Sequence, residues 1–584
     1  MVGVTIKQLK IRGFRGIQNL DWRPNDGLNF ILGGGDVGKT TILEAVALLF
    51  SPTNSVSISE TDFTDRKYED GFVIEAVIVD GPHAQLGHHP SFLWPWTWNG
   101  KEALPPPENG EPAPAESAAH VVRVIGTSEL ELLWEVVQPS GDQVVPFPTA
   151  TRRAVGVIKL LGEDRNDRDL RLLYGSALDR LLDDPLLRGR ISQQIAAMDI
   201  AQSVGAGGAE KLQTLGTSFD NAALPSGLSL GLTSSQGISI GALIGLLARQ
   251  GEVNLPLASW GTGTRRLASL KIASANGSDA SLRAIDEIER GLEPYRLRAF
   301  VRDLHEEGRQ CFVTTHSPIA VGACSEAQLW FLSATGEIGM LDKEKTARQQ
   351  EREPETFLAR AALIAEGKTE VGFAKSLLER AFGCDPLNHG IRVCYGQGNE
   401  ATLQLLEALA IAGLKFGGFA DNEGNNPERW RRLKRTLGDR LFQWEQSCTE
   451  AEVLSRVDDK DLARLFEDPN DGWNGERART VADRLGSAST EFAALAKAAE
   501  EKGTSLKEVI IAAAVGNTDE ATDENRRTWK SHGKCWFKTE EGGRELYGLA
   551  RNLGVWPELA PLFLPLVNQL RGDIGLGELE ALEA

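Results

Sequence analysis

Cysteine is sparse in this chain and never paired in sequence. Cys311, Cys324, Cys384, Cys394, Cys448 and Cys535 stand apart with no CxxC spacing. That disfavours a thiolate zinc site and a disulfide framework, and fits a reducing cytoplasm. No run of about 18 apolar residues occurs, so the sequence offers no membrane-spanning helix. The opening Met1-Val2-Gly3-Val4-Thr5-Ile6-Lys7 lacks the charged-then-apolar order of a signal peptide. Positive charge is in deficit, with 63 Lys and Arg against 82 Asp and Glu, a net charge of −19. This balance argues against polyanion binding through bulk charge. It leaves local basic patches open, since phosphates respond to nearby cations and clustered metal-binding carboxylates inflate the formal charge. What remains is a chain of 584 residues, 41% hydrophobic and 25% charged, expected to be soluble, globular and built from roughly three domains.

The most informative stretch is Gly33-Gly34-Gly35-Asp36-Val37-Gly38-Lys39-Thr40, of the form G-x-x-x-x-G-K-T. Val4 to Ile11 alternates as a strand, and Leu28 to Leu32 is a short apolar strand running into the glycines. Thr41 to Phe50 then places Ile42, Leu43, Val46 and Leu49 at helical spacing. Strand, glycine loop and helix form the context in which backbone N–H groups cradle phosphates. Gly33, Gly35, Asp36 and Gly38 would shape that cradle, and Thr41 would open the helix. Lys39 would reach the terminal phosphates of ATP, and Thr40 would ligate its Mg²⁺.

Further on, Leu282-Arg283-Ala284-Ile285-Asp286-Glu287 ends an apolar strand with two carboxylates. Asp286 suits the nucleotide's Mg²⁺ and Glu287 the attacking water. Cys311-Phe312-Val313-Thr314-Thr315-His316-Ser317-Pro318 reads as another strand, with His316 at its end where it would contact a γ-phosphate. Ser259-Trp260-Gly261-Thr262-Gly263 precedes Asp286 as a Ser/Gly-rich signature. This ordered set resembles the ATPase heads of the ABC/SMC/RecF type. The resemblance implies ATP and Mg²⁺ as cofactors, with Ser259, Gly261 and Gly263 of one subunit contacting nucleotide on another, and hence a homodimer or higher homo-oligomer. The signature departs from the LSGGQ form, and there is no clear Gln loop, only Gln85. Residues 155–250 are rich in leucine and read as a helical insertion, either a dimerisation arm or a completion of the core. Pro105 to Pro114 reads as an exposed loop.

Lys343 to Glu355 is charged and nearly free of apolar residues, so 343–360 is expected to be a linker between an ATPase domain (1–342) and a second domain (361–584). There Ala361 to Ala365 is a strand ending at Glu366-Gly367-Lys368-Thr369-Glu370, and Val371 to Phe382 a helix. Leu414 to Ala420 is a strand ending at Asp421-Asn422-Glu423. Ser447-Cys448-Thr449-Glu450-Ala451-Glu452 opens another helix. Strands alternating with helices predict a parallel sheet, whose sites lie beyond the strands' carboxyl ends. Glu366, Glu370, Asp421, Glu423, Glu450 and Glu452 are hard oxygen ligands without a neighbouring His or Cys, suited to Mg²⁺ or Mn²⁺. Two ions about 4 Å apart would stabilise both oxygens of a phosphodiester displacement.

The order E-G-x-T-E followed by D-x-[DE] resembles the Toprim fold of topoisomerases, primases and OLD nucleases. A Toprim domain behind an ABC-like head is similar to the OLD (overcoming lysogenisation defect) family. Trp536-Phe537-Lys538-Thr539 with Gly542-Gly543-Arg544-Glu545 resembles the late lysine motif of class 2 members, which include the nuclease subunit of Gabija anti-phage systems. By that likeness Lys538 would stabilise charge on the scissile phosphate, with Lys534 as its understudy. The glutamate at 423 departs from the family's D-x-D. The resemblance also implies a helicase-like partner and a role in phage defence. Arg429-Trp430-Arg431-Arg432-Leu433-Lys434-Arg435 is a cationic helix that would hold a DNA backbone. The expected fold is thus α/β: an ABC/SMC/RecF-like ATPase domain with a helical insertion, then a Toprim domain with helical additions. The expected activity is a metal-dependent, nucleotide-gated DNA endonuclease. The rival readings are a DNA-bound structural ATPase and a topoisomerase or primase. The five tyrosines (68, 174, 295, 395 and 547) include none in a clear DNA-cleavage module.

Overall fold

The computed structural model describes residues 4–79, 95–106, 118–140, 144–160, 166–173, 176–184, 187, 190, 204–232, 244–275, 282–466 and 474–583. The chain divides into two compact units, Met1–Lys343 and Glu344–Ala584, each with its own hydrophobic core. The six cysteines are free thiols. Among the described residues no helix is long and apolar enough to cross a membrane.

In the first unit β1 (Thr5–Phe14) and β2 (Ile17–Trp22) form a hairpin that pairs Phe14 with Ile17. β3 (Leu28–Leu32) leads through the glycine loop into α1 (Lys39–Leu49). Six strands follow: β4 (Phe72–Val79), β5 (Trp96–Trp98), β6 (Ala103–Leu104), β7 (Ala118–Gly126), β8 (Leu132–Val137) and β9 (Val144–Pro146). They extend the hairpin into an antiparallel sheet ordered β2-β1-β4-β7-β5-β6, with β8 on β7 and β9 on β8. Next come β10 (Val157–Leu160), β11 (Ser229–Leu232), β12 (Ile244–Gln250), β13 (Val253–Pro256) and α2 (Thr262–Ala275). β14 (Leu282–Ile285), α3 (Pro294–Glu306), β15 (Cys311–Thr314), β16 (Gln328–Leu332) and β17 (Ile338–Met340) complete the unit.

The central sheet has the order β10-β14-β15-β3-β16-β17, parallel except for β17. β3, β14 and β15 are buried at every residue, the burial expected of parallel strands covered on both faces. Because these three strands run the same way, the glycine loop, Asp286-Glu287 and His316 emerge at one edge of the sheet.

The expectation of a helical insertion at 155–250 is corrected. Helices Asn166–Asp169, Ala177–Leu182 and Ala206–Asn221 are present, but β10 belongs to the central sheet and β11, β12 and β13 form a three-stranded antiparallel sheet. Leu160 is buried in a strand and Leu178 in a helix. Short apolar segments do not reveal which of the two they form. Gln85 and most of the stretch 105–114 lie outside the described residues.

The expected linker is also corrected. α4 (Lys343–Arg352) and a 3₁₀ turn at Pro354–Phe357 cover that stretch. Thr346, Gln349, Gln350, Thr356 and Phe357 are buried. Glu353 accepts the backbone N–H of Tyr395 at 3.0 Å, and Lys345 pairs with Glu407 at 3.3 Å. Gln349 donates to Thr356 at 2.9 Å and Thr356 to the Glu353 carbonyl at 2.7 Å; polar side chains can bury when so partnered, so low hydrophobicity did not signal an extended tether.

The second unit runs β18 (Ala361–Ala365), α5 (Lys368–Phe382), β19 (Ile391–Tyr395), α6 (Asn399–Ala412), β20 (Phe416–Ala420), α7 (Pro427–Leu437), β21 (Leu441–Gln443) and α8 (Thr449–Ser455). Its sheet is wholly parallel, in the order β19-β18-β20-β21. The chain steps from β18 outward to β19, then crosses back to β20. That reversal opens a crevice beyond the carboxyl ends of β18 and β20. Helices follow, among them α9 (Arg526–His532), α10 (Glu540–Asn552) and α11 (Trp556–Asp573). Phe563 of α11 stacks on Phe442 at 4.1 Å and meets Phe373 and Phe419 at 5.3 and 5.4 Å, fixing the helical layer to the sheet.

α5 and α10 touch backbone to backbone. A Cβ at Gly543 would fall 2.0 Å from the Thr369 carbonyl oxygen, and one at Gly372 would fall 1.8 Å from that of Glu540. The glycines of the late motif therefore serve close packing, which brings the turn carrying Lys538 against α5. Gly543→Ala is expected to push the helices apart and cost about 1–3 kcal/mol, read as a lower denaturant midpoint. An unchanged midpoint would show that the two helices tolerate separation.

Candidate functional site

In the first unit, Gly38 caps α1 with φ of +100°, a conformation that favours glycine. Gly33, Gly35 and Asp36 shape the loop before it, and Thr41 lies in the first turn of α1. Buried Lys39 donates from Nζ to the carbonyls of Gly33 at 3.1 Å and Gly34 at 2.5 Å. Burial lowers the Lys39 pKa, while Asp286, Asp36 and Glu287 oppose the shift. Thr40 Oγ1 lies 3.0 and 3.2 Å from the two carboxylate oxygens of Asp286. These are the groups expected to share Mg²⁺, brought together from positions 246 residues apart. Thr314 Oγ1 donates to Asp286 at 2.5 Å and accepts the Glu287 N–H at 2.9 Å. Glu287 itself is exposed, at φ of +45°.

His316 is exposed beyond β15, and its backbone N–H donates to Glu289 at 2.7 Å. The other Glu289 oxygen accepts Thr315 Oγ1 at 2.6 Å. In the signature, Ser259 donates to the Pro256 carbonyl at 2.7 Å and Gly261 faces open space. Gly263, in the first turn of α2, lies directly under the Gly291 carbonyl. Its role here is close packing against the turn after Asp286. Arg266 of α2 is buried and bonds the Asp286 carbonyl; burial brings its pKa down to about 10.

In the second unit, Glu366 follows β18, Glu370 lies in the first turn of α5, Asp421 follows β20 and Glu450 opens α8. Oxygens of Glu370, Asp421 and Glu450 lie within 4.8 Å of one another. Glu370 and Glu450 are each only 2% exposed. Glu370 Oε1 is buried with no hydrogen-bond partner among the described residues. An ionised oxygen left so is costly unless a cation completes it. The donors are all oxygen, so the residues fit a hard divalent ion.

The polar frame around the cluster is fixed. Thr449 donates to Asp421 Oδ1 from its N–H at 2.9 Å and its hydroxyl at 3.1 Å. Thr369 Oγ1 lies 2.8 Å from Glu450 and 2.9 Å from the Phe537 carbonyl. Glu366 accepts the Asp421 backbone N–H at 3.2 Å and the Asn399 amide at 3.3 Å. Burial pushes Glu366 up to about 7. Burial and then the Glu450 charge bring Glu370 to about 7. Asp421 is raised well above the usual carboxylate range by burial and by Glu370, Glu450 and Glu366.

Lys538 is exposed. Burial of its stem works against its charge, but Glu450, Cys448, Glu423 and Asp421 outweigh this and raise its pKa. Glu423 is exposed, outside the three-carboxylate group. Glu452 is not brought to the cluster and pairs with Arg456 at 2.7 Å, one helical turn on; this corrects its reading as a ligand. On α7, Arg429 is held by Glu400 at 2.8 Å and Glu407 at 3.1 Å, and Lys434 bonds the Leu441 carbonyl. Arg431, Arg432 and Arg435 remain exposed.

Residues 145–322 match the family described as "AAA domain, putative AbiEii toxin, Type IV TA system", and residues 8–81 match the family described as "AAA domain". The first unit carries an AAA-type ATPase domain. A 48-residue segment is 52% identical to the Septu protein PtuA of Bacillus thuringiensis, covering 8% of this chain and 12% of that protein. Among solved structures, the SMC head bound to the C-winged helix domain of ScpA matches at 13% identity over 59% of this chain and 99% of that one, with a TM-score of 0.39. The recombination mediator protein RecF with ATP matches at 11% identity over 58% of this chain and 100% of that one, with a TM-score of 0.34.

The ATPase domain type implies a nucleotide and, with it, Mg²⁺. Several residues that organise the two sites went unread in the sequence: Glu289, Thr314 and Arg266 in the ATPase, and Asn399 and Thr449 around the carboxylates. Thr449 had a signal, a hydroxyl at a helix start beside Glu450. Arg266 and Asn399 had none, because their partners are set by tertiary packing.

Proposed function

We propose that the chain is an ATP-gated, Mg²⁺- or Mn²⁺-dependent DNA endonuclease of the OLD type, acting as a homodimer or higher oligomer. The observation that carries this reading is the Glu370-Asp421-Glu450 group, with Glu370 and Glu450 buried, Asp421 half-buried and one Glu370 oxygen unpartnered among the described residues. A bound divalent ion would acidify a coordinated water and neutralise charge on the phosphodiester. Glu370, Asp421 and Glu450 would hold one ion, and Glu366 with Glu423 would face a second. Thr369 and Thr449 keep the carboxylates in place, while the Lys538 ammonium offers positive charge to a non-bridging phosphate oxygen. The resemblance to class 2 OLD proteins supports an anti-phage setting.

A supercoiled plasmid incubated with Mn²⁺ tests this directly. Nicked or linear product is the expected result. Relaxed topoisomers would mean a topoisomerase, and unchanged plasmid would mean a structural ATPase.

A further inference from the structure

We propose that the outer face of α9 is a track for the DNA backbone, leading a strand to Lys538 and the carboxylate crevice; this rests on the nuclease reading above. α9 is clamped on one side. Trp529 and His532 are buried, Arg484 donates to the Trp529 carbonyl at 3.1 Å and to His532 Nδ1 at 3.2 Å, and its guanidinium lies 4.6 Å over the Trp529 ring. With about 100° between successive helical residues, Arg527 and Lys530 fall away from this buried face, and Lys534 follows in the 3₁₀ turn Gly533–Cys535 that continues α9. All three are exposed. Among the described residues none of them has an ion-pair partner, in contrast to Arg429 of α7, which Glu400 and Glu407 hold.

The stripe continues into the crevice. Gly533 ends α9, and a Cβ there would lie 3.1 Å from Lys538 Cε, so the Lys538 stem runs over the end of the helix. The ammonium lies within electrostatic reach of Glu450, Cys448, Glu423 and Asp421. At about 1.5 Å rise per residue, Arg527 to Lys534 spans about 10 Å, room for two or three backbone phosphates. The sequence just before α9 carries Asp519, Glu520, Asp523 and Glu524 in place of cations. The cations thus form a one-ended run pointing at the metal ligands. In a chain of net charge −19, such a local patch is what sets binding to phosphates.

The test is fluorescence anisotropy with a labelled 20-base-pair DNA duplex across a salt series, with EDTA present so that no strand is cut. Each phosphate contact contributes roughly 0.7–0.9 to the slope of log K against log salt. The variant Arg527→Gln/Lys530→Gln/Lys534→Gln should lower that slope by about 2 and weaken binding at least tenfold at about 0.1 M salt. Its Mg²⁺-induced thermal shift should match wild type, which reports an intact carboxylate site. Equal slopes for variant and wild type would overturn the track, whether or not the plasmid is cut. A wild type that binds with the expected slope difference yet leaves plasmid intact would remove the nuclease reading and keep the track.

Discussion

Glu370→Gln is expected to abolish metal-dependent plasmid cleavage, by at least ~100-fold, while leaving the metal-free protein as stable as wild type or more so. Glu370 is buried, its Oε1 has no hydrogen-bond partner among the described residues, and Glu450 repels its charge. The variant removes that cost and the ligand together. The pH dependence follows from the same shift. Glu366 and Glu370 titrate near 7 when folded, above their ordinary 4.5, so between these values the folded protein binds protons that the unfolded chain does not. The stability from those protons is full below the ordinary carboxylate pKa and is lost as pH rises through about 7. A divalent ion replaces the protons. Mg²⁺ affinity should therefore rise between pH 6 and 7 by about fivefold for each proton displaced, and thermal stabilisation by Mg²⁺ should be larger at pH 8 than at pH 6. Both trends should weaken in Glu370→Gln, where only Glu366 and Asp421 keep raised values, and persist in full in Glu452→Gln, whose carboxylate pairs with Arg456. A Glu370→Gln protein that still cuts, or responds to Mg²⁺ as fully as wild type, would remove the three carboxylates as the metal site.

The second large effect concerns the nucleotide. Lys39→Ala should lose ATP binding by at least ~100-fold, since it deletes the charge held over the loop carbonyls of Gly33 and Gly34. Glu287→Gln should bind ATP and hold it, with hydrolysis reduced at least ~100-fold. The signature at 259–263 departs from the transporter form, which fits slow turnover, a sensor of nucleotide more than a motor. Plasmid cutting should then respond to ATP binding without one hydrolysis per cut. Lys39→Ala should cut without nucleotide control, and Glu287→Gln with ATP should stay locked in one state. Loss of all cutting by a folded Lys39→Ala protein in the absence of nucleotide would end the gating model.

Where a candidate residue sits at a strand end, the sequence was readable. β3, β18 and β20 are short and apolar, and each stops at a charged or glycine-rich turn, so Lys39, Glu366 and Asp421 could be located before any fold was known. Glu452 was misread because spacing alone cannot tell a ligand from the first member of an i, i+4 ion pair. The stretch at 343–355 was misread because buried Thr346, Gln349 and Gln350 resemble a solvated tether when only hydrophobicity is counted. The stripe on α9 was hidden for another reason. Lys534 was seen only as a substitute for Lys538, and without knowing that Trp529 and His532 point inward, nothing showed that Arg527, Lys530 and Lys534 share one face.

The order of strands in the central sheet has a consequence for biosynthesis. β15 lies between β3 and β14, so Thr40 and Asp286 meet only after a strand from position 311 has been inserted between theirs. Until that strand has left the ribosome, the glycine loop has no acidic partner, and a nascent chain of nearly three hundred residues would hold ATP poorly. Such long-range closure is slow, because chain entropy is lost before the contacts that reward it form. Nucleotide binding would then ripen late in synthesis, and ATP added to refolding protein should speed only the final phase.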